Sequence, residues 1–132
     1  MARLGLVLSL LLVCGFAAPE RPAAASVAPD PSGVWQRGDG NAKVRIAPCG
    51  SDVCAINTWI KDTSSGEAVG DRLVMKLTQS TGNVLAGTAY DPKRGRTYSI
   101  TLTIETTGLT TKGCILYGLL CRSVTWSRLP QS

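Results

Sequence analysis

The stretch TYSITLTIE, residues 97–105, decides the fold class of this chain. Apolar and polar side chains alternate strictly along it, and the apolar ones are Tyr98, Ile100, Leu102 and Ile104. A period of two indicates a β-strand, because successive side chains of a strand point to opposite faces. We therefore expect a strand with one buried face and one solvated face that is rich in hydroxyl groups.

The same kind of pattern recurs on both sides of this strand. Alternation is clear at residues 43–46 and 72–77, and β-rich runs lie at 33–36, 53–61, 84–90, 109–115 and 122–128. Turn-forming residues separate these segments, at 38–41, 64–66, 80–83, 91–95 and 107–108. Nothing after residue 25 has a convincing helical period. Eight strands with short connections predict an antiparallel meander that closes into a small up-and-down barrel.

The first 25 residues are typical of a secretory signal peptide. Arg3 precedes an apolar run of ten residues, 4–13, and small residues follow it. Because a bilayer span needs roughly 20 apolar residues, this run is too short to be a membrane anchor. Cleavage fits after Ala25 or after Ala17, and lipidation at Cys14 is a further alternative. We expect a periplasmic or secreted protein without a transmembrane segment, with residues 26–32 as a flexible lead-in and 33–130 as one barrel domain.

The cysteines support export. Beyond Cys14 the chain has four, which permit three pairings in an oxidising compartment. A turn at residues 51–52 places Cys49 opposite Cys54, and a turn at residues 117–118 places Cys114 opposite Cys121. We expect these two local disulfides, with a four-thiolate zinc site as the alternative.

Composition argues against several functional classes. The chain has 132 residues, no histidine and a net charge of +5. Without histidine there is no Ser-His-Asp or Cys-His machinery and no imidazole metal ligand. The carboxylates fall mostly in turns, where local hydrogen bonds explain them, and the cations form no stripe interleaved with aromatic residues. We expect no catalytic residues, no metal, no cofactor and no nucleic-acid partner.

Several segments resemble known families. Gly33-x-Trp35 together with Trp126-Ser127-Arg128 is similar to the calycin pattern, in which an early Trp packs beneath a late basic side chain. More specifically, the chain resembles the domain of unknown function 2147 family of small exported bacterial proteins. The segments that carry this resemblance are 33–35, 48–54, 90–98 and 113–128. The resemblance implies a lipocalin-like barrel, and it implies no biochemical activity.

Two sets of residues are candidate sites. Trp35 and Arg128 are expected to form a structural lock, with a guanidinium stacked on an indole. An anion clamp at a barrel mouth is the functional interpretation of the loop that carries Lys93, Arg94 and Arg96. The residues expected to assist in binding the ligand are Trp59, Tyr90, Tyr98 and Ile100.

These candidates lead to two functional hypotheses. In the first, the barrel binds a small apolar or amphipathic ligand inside or at its mouth. In the second, the barrel is fully packed and acts through its surface, as an interaction or structural protein of the cell envelope. An interior void large enough for a ligand favours the first hypothesis.

Overall fold

Eight antiparallel strands follow one another in chain order and close into a barrel. This is seen in a computed structural model that describes residues 12–19 and 29–130. The strands are β1 (Gly33–Arg37), β2 (Ala42–Cys49), β3 (Asp52–Ile60), β4 (Arg72–Thr81), β5 (Val84–Asp91), β6 (Arg96–Ile104), β7 (Gly108–Ile115) and β8 (Leu120–Leu129). Each strand pairs with its neighbours in sequence, and β8 closes the barrel on β1, where Trp35 pairs with Arg128. The predicted all-β, eight-stranded barrel is confirmed.

The alternation of side chains builds the interior. On β2 the buried residues are Ala42, Val44 and Ile46, while Lys43 and Arg45 between them are more exposed. On β6 Leu102 is fully buried, in phase with Ile100. The resulting core is aliphatic apart from Trp35, as the low aromatic content of the chain requires. One face of each strand therefore packs inside and the other meets solvent.

The two ends of the barrel differ. The start of β1 and the end of β8 lie at one end, with the turns at residues 50–51, 82–83 and 105–107; we call it the closed end. The other end, which we call the mouth, carries the connections 38–41, 61–71, 92–95 and 116–119. The longest connection, residues 61–71, is called the mouth loop below.

The described part of the N-terminal lead-in is held at the closed end. Trp35 donates its indole N–H to the carbonyl oxygen of Pro31 at 3.0 Å, and Arg128 donates to that of Ser32 at 3.1 Å. These contacts tie residues 31–32 to the barrel, and the flexibility expected for the lead-in, residues 26–32, stays a prediction. Residues 26–28, residues 1–11 of the predicted signal peptide and the cleavage position after Ala25 lie outside the described residues.

Of the predicted signal peptide, the structure describes residues 12–19, which are exposed and have no regular secondary structure. Within those residues and the barrel range, no helix is long and apolar enough to cross a membrane. Cys14 is a free, exposed cysteine there.

Both expected cysteine pairs lie at disulfide distance. The sulfur atoms are 2.08 Å apart in Cys49–Cys54 and 2.13 Å apart in Cys114–Cys121. This pairing leaves no thiolate among the four for the zinc alternative.

The register around the first bridge differs from the prediction. The turn is at residues 50–51, so Cys49 pairs with Asp52 and Cys54 pairs with Ala47. The two cysteines are diagonal neighbours on one face, with a Cα–Cα distance of 5.7 Å that still permits the bond. The second hairpin has the expected register, with Cys114 directly opposite Cys121.

A β-bulge turns Trp59 out of the barrel. The pairing of β2 with β3 shifts between Lys43 and Val44, so that Asn57 pairs with Val44 and Trp59 pairs with Lys43. The ammonium group of Lys43 lies 5.0 Å from the centroid of the Trp59 ring. One extra residue in β3, Thr58, thus reverses the side that the following residue faces.

Candidate ligand cavity and its mouth

A cavity of about 390 Å³ lies inside the barrel and reaches the mouth. Its size is within the range of small-molecule sites in proteins, roughly 300–1,000 Å³. The apolar wall consists of inward-facing side chains from seven strands, β2 to β8, among them Met75, Ile100, Leu102, Leu109 and Trp126. Trp126 donates its indole N–H to the hydroxyl of Thr111 at 3.0 Å, so its one polar atom is satisfied within the wall. The deep part of the cavity therefore has an apolar surface.

Charged side chains line the outer part of the cavity. Four arginines and three carboxylates contribute: Arg37, Arg72, Arg94, Arg122, Glu67, Asp71 and Asp91. Arg37 pairs with Glu67 and Asp39, and Arg94 pairs with Asp91. Within residues 12–19 and 29–130, Arg72 and Arg122 form no ion pair. Arg72 is out of phase with the inward-facing Leu73 and Met75 on β4 and pairs with the exposed Ile56. Arg122 is therefore the unpaired cation on an inward face that is available to an anion in the described part of the chain.

The mouth loop is fastened to β1 and its turn. Arg37 donates through both terminal nitrogens to the Glu67 carboxylate, and its Nη2 lies 2.9 Å from Oε2. Asn41 donates to the same carboxylate at 3.0 Å and to the carbonyl oxygen of Asp62 at 3.1 Å. The hydrogen bonds from Arg37 hold the pKa of Glu67 below its ordinary value of 4.5, although burial opposes the shift. Glu67 is thus ionised at neutral pH and its pairing with Arg37 is intact.

A second ion pair fastens the other end of the mouth loop. Lys93 donates its ammonium to Asp71 at 3.1 Å and to the carbonyl oxygen of Gly66 at 3.0 Å. Burial raises the pKa of Asp71, but the hydrogen bonds from Lys93 and the Ala68 N–H outweigh it and leave the pKa below its ordinary value. The loop from β5 to β6 and the end of the mouth loop are therefore joined side by side, where the adjacent strands β4 and β5 meet the mouth.

Asp91 organises the turn that carries the predicted clamp. Its carboxylate accepts the backbone N–H groups of Lys93 at 3.0 Å and Arg94 at 3.2 Å. The Arg94 guanidinium returns to the same carboxylate at 2.9 Å, and this hydrogen bond raises the pKa of Arg94. Two of the three cations in the expected anion clamp are thus engaged by carboxylates of the protein.

The structure distributes the predicted ligand residues over three places. Tyr98, Ile100 and Arg94 line the cavity. Lys93 and Arg96 lie at the mouth but are not part of the cavity wall. Tyr90 lies between the inward-facing Ala89 and Asp91 and is 44% exposed, so it faces outward, as Trp59 does. Trp59 and Tyr90 thus lie outside the cavity wall, and their part in binding a ligand stays a prediction.

Sequence reasoning missed the arginines that the strands bring to the cavity. Arg122 is in phase with Val124 and Trp126 on β8, and Arg37 is in phase with Trp35 on β1. A count in steps of two from either tryptophan finds these positions.

At the closed end, Arg128 covers Trp35. The guanidinium carbon is 4.2 Å from the centroid of the indole ring, and Arg128 also donates to the carbonyl oxygen of Thr106 at 3.2 Å. Trp35 itself is completely buried. Its position below the cavity closes this end, so the mouth is the route to the interior.

The described residues contain no group of three or more His, Cys, Asp or Glu side chains placed to hold a metal ion. The side chains that line the cavity offer apolar contact, hydrogen bonding and the charges of arginines and carboxylates.

A family model described as "Uncharacterized protein conserved in bacteria (DUF2147)" matches residues 33–128. The match begins at the first residue of β1 and ends one residue before the end of β8. The chain belongs to the DUF2147 family. No curated protein and no solved structure matches it.

The DUF2147 match covers every strand, both disulfides and the whole charged mouth of this barrel. Membership therefore concerns the entire barrel domain. The description of the DUF2147 family names no activity or ligand, so a function has to be argued from the cavity.

Proposed function

We propose that this protein binds a small amphipathic molecule, with its apolar part in the barrel and an acidic headgroup at the mouth. The observation that carries the proposal is the cavity of about 390 Å³, which is open at one end and has an apolar wall below a charged rim. Apolar sites with a few polar groups at one side are typical of proteins that bind small amphiphiles. The alternative hypothesis, a fully packed barrel that acts through its surface, gives such a cavity no role.

The headgroup is assigned to Arg122 instead of the predicted clamp. Lys93 and Arg94 already neutralise Asp71 and Asp91, so binding an anion there requires breaking an ion pair. Arg122 lines the cavity, in phase with Val124 and Trp126, without a carboxylate partner in the described chain. An arginine can donate two parallel hydrogen bonds to one carboxylate or phosphate, which gives orientation as well as affinity.

The apolar part is assigned to the wall around Ile100. Ile100 is partly buried and packs against the core cluster that includes Met75 and Leu102. Gly87 and Gly113 pair with Ile100 on the two neighbouring strands. Because glycine has no side chain, space is left on both sides of Ile100. A ligand tail that reaches this depth removes apolar surface from water at roughly 25 cal/mol per Å².

Titration with a fluorescent fatty acid tests the proposal. Ile100→Trp fills the interior and should abolish saturable binding, while the matched variant Ser99→Trp, which changes the exposed neighbour on β6, should bind like the wild type. Arg122→Gln should weaken binding of the acid by about tenfold to a hundredfold, because a charge-assisted hydrogen bond is lost. The same variant should bind the corresponding fatty alcohol with unchanged affinity. Arg45→Gln, on the exposed face of β2, is the control for charge.

Two results would overturn the proposal. One is the absence of saturable binding by the wild type up to the solubility limit of the fatty acid. The other is an Ile100→Trp variant that binds as well as the wild type. Either result leaves the surface-interaction hypothesis as the better account.

A further inference from the structure

The tip of the hairpin between β7 and β8, residues 115–120, exposes a continuous apolar surface that we call the apolar tip. Four large side chains are largely in solvent: Leu116 at 63%, Tyr117 at 105%, Leu119 at 86% and Leu120 at 58% exposure. Single exposed apolar residues are ordinary on protein surfaces, but adjacent ones on a projecting turn mark an interaction site. The apolar tip is therefore a feature that the ligand cavity does not explain.

The backbone of the apolar tip is unfavourable for the residues that occupy it. Leu116 and Tyr117 have φ angles of 54° and 56°, in the left-handed region, and Gly118 follows with φ 85°. Positive φ angles favour Asn, Asp and Gly, and bulky side chains there are strained. Folding alone does not account for leucine and tyrosine at these two positions. Their apolar surface is available for an interaction outside the chain.

The apolar tip stands clear of the barrel on both sides. The pairing of β6 with β7 ends at Ser99 and Cys114, and the pairing of β1 with β8 ends at Arg37 and Trp126. Beyond these pairs the hairpin is a two-stranded ribbon, held together by the Cys114–Cys121 bridge. The Leu119 N–H donates to the carbonyl oxygen of Leu116 at 3.1 Å and closes the turn. The apolar tip therefore projects at the mouth end and is held by the disulfide and by the hydrogen bond of its turn.

The strands that carry the apolar tip are basic. Residues 108–129 contain Lys112, Arg122 and Arg128 and no Asp or Glu, and of these Arg128 lies at the closed end. Lys112 is exposed on β7 within the barrel sheet, where it pairs with Thr101. Arg96 is exposed at the start of the neighbouring β6. Continuing the observed β6–β7 register past Ser99–Cys114 brings Arg96 level with Tyr117. Apolar side chains with adjacent cations, and a tyrosine between them, are the combination that lies in the interface of an anionic bilayer.

We propose that the apolar tip inserts into the interface of an anionic lipid bilayer, with Arg96 facing the lipid phosphates. The proposal rests on the projecting hairpin and is independent of whether the cavity holds a ligand. Because the tip lies at the mouth, its insertion brings the opening of the barrel against the lipid surface.

Vesicle co-sedimentation tests the proposal, with the disulfide-intact protein purified after export by a bacterial host. The wild type should bind vesicles of phosphatidylcholine with phosphatidylglycerol and bind pure phosphatidylcholine at least about tenfold less, and added salt should weaken the binding. Leu116→Asn with Leu119→Ser should reduce binding by about tenfold or more, because two apolar side chains no longer leave water. Ile56→Asn, which changes an exposed apolar side chain on the flank of the barrel, is the matched control and should leave binding unchanged.

Two further measurements separate insertion from loss of structure. Leu116→Asn places a residue that tolerates positive φ at a strained position, so this variant should unfold at the same temperature as the wild type or higher while it binds vesicles less. In Tyr117→Trp, phospholipids with brominated acyl chains should quench the added indole. Equal vesicle binding by wild type and the double tip variant, or an added indole that stays unquenched on bound protein, would overturn the proposal. Failure of the fatty-acid titration alone would overturn only the cavity function.

Discussion

The guanidinium group of Arg128 stacks on the indole of Trp35 at 4.2 Å, directly across the β1–β8 seam that closes the barrel. The same arginine donates to the carbonyl oxygen of Ser32, just before β1, and to that of Thr106, in the β6–β7 turn. A single side chain therefore links the start of β1, the end of β8 and the β6–β7 turn.

This stack should contribute jointly to stability. Trp35→Ala is expected to lower the free energy of unfolding by about 3–5 kcal/mol, as large aromatic truncations in packed sites do, and Arg128→Ala should lose part of the same energy. The double variant should then lose clearly less than the sum of the single losses. Urea unfolding of all four proteins measures this coupling, and additive losses within about 0.5 kcal/mol would show that the contact contributes nothing.

The two bridges should be recovered by peptide mapping under non-reducing conditions, as Cys49–Cys54 and Cys114–Cys121. They close short loops, so removing either pair by Cys→Ser substitution is expected to lower the free energy of unfolding by about 1–3 kcal/mol. A crossed linkage between the two hairpins would contradict the observed registers.

The attachment of the mouth loop should depend on pH through Glu67. Because the pKa of Glu67 is lowered in the folded protein, its stabilising effect is complete above its ordinary value of 4.5 and is lost as pH falls through the lower folded pKa. Glu67→Gln should lower the free energy of unfolding by about 1–2 kcal/mol at neutral pH.

At acid pH the Glu67→Gln variant and the wild type should converge. Chemical unfolding at a series of pH values measures both effects. Glu105→Gln, an exposed carboxylate beyond β6, is the control. A constant difference between Glu67→Gln and wild type across this pH range would contradict the assignment.

The cations of the β5–β6 loop should affect the order of the mouth loop more than the affinity for a ligand. Replacing Lys93, Arg94 and Arg96 with Gln breaks two ion pairs that fasten the mouth loop and its neighbour, so faster hydrogen exchange of the 61–71 amides is expected. Arg122→Gln should leave that exchange unchanged and weaken fatty-acid binding. If instead the triple variant binds the fatty acid more weakly and exchanges its 61–71 amides at the wild-type rate, the anion site lies on the β5–β6 loop.

Two glycines on the inner face should respond differently to alanine. A Cβ at Gly87 would lie 1.8 Å from the backbone oxygen of Lys76, whereas one at Gly113 would meet nothing within 4 Å. Gly87→Ala is therefore expected to cost about 1–3 kcal/mol or more, because β4 and β5 must separate, and Gly113→Ala should be close to neutral. Thermal unfolding of both variants is the measurement, and equal melting temperatures would refute the difference.

The strands were predictable because alternation is a local property that both tertiary pairing and burial reinforce. Residues 97–105 have the same inward and outward faces in the sequence pattern and in β6. The eight-strand closure followed from short connections, and both cysteine pairs followed from their hairpins. These features depend on residues that are close in sequence.

The candidate site was less predictable because it depends on irregularities and on distant partners. The orientation of Trp59 is set by one bulge residue, which has no distinctive sequence signal. The ion pair of Lys93 could not be read from the sequence, because Asp71, its partner on the neighbouring strand end, is far from it in the chain. Arg122 and Arg37 were overlooked as cavity residues although their strand phase was readable from Trp126 and Trp35.

The closed end has a kinetic consequence. With Trp35 sealing the base of the barrel, any molecule in the interior has to leave by the passage through which it entered. The mouth loop, fastened by Arg37–Glu67 and Lys93–Asp71, borders that single passage. A change that loosens the loop without touching the occupant accelerates arrival and departure by the same factor. Exchange rates and equilibrium occupancy of such a barrel can therefore be altered separately.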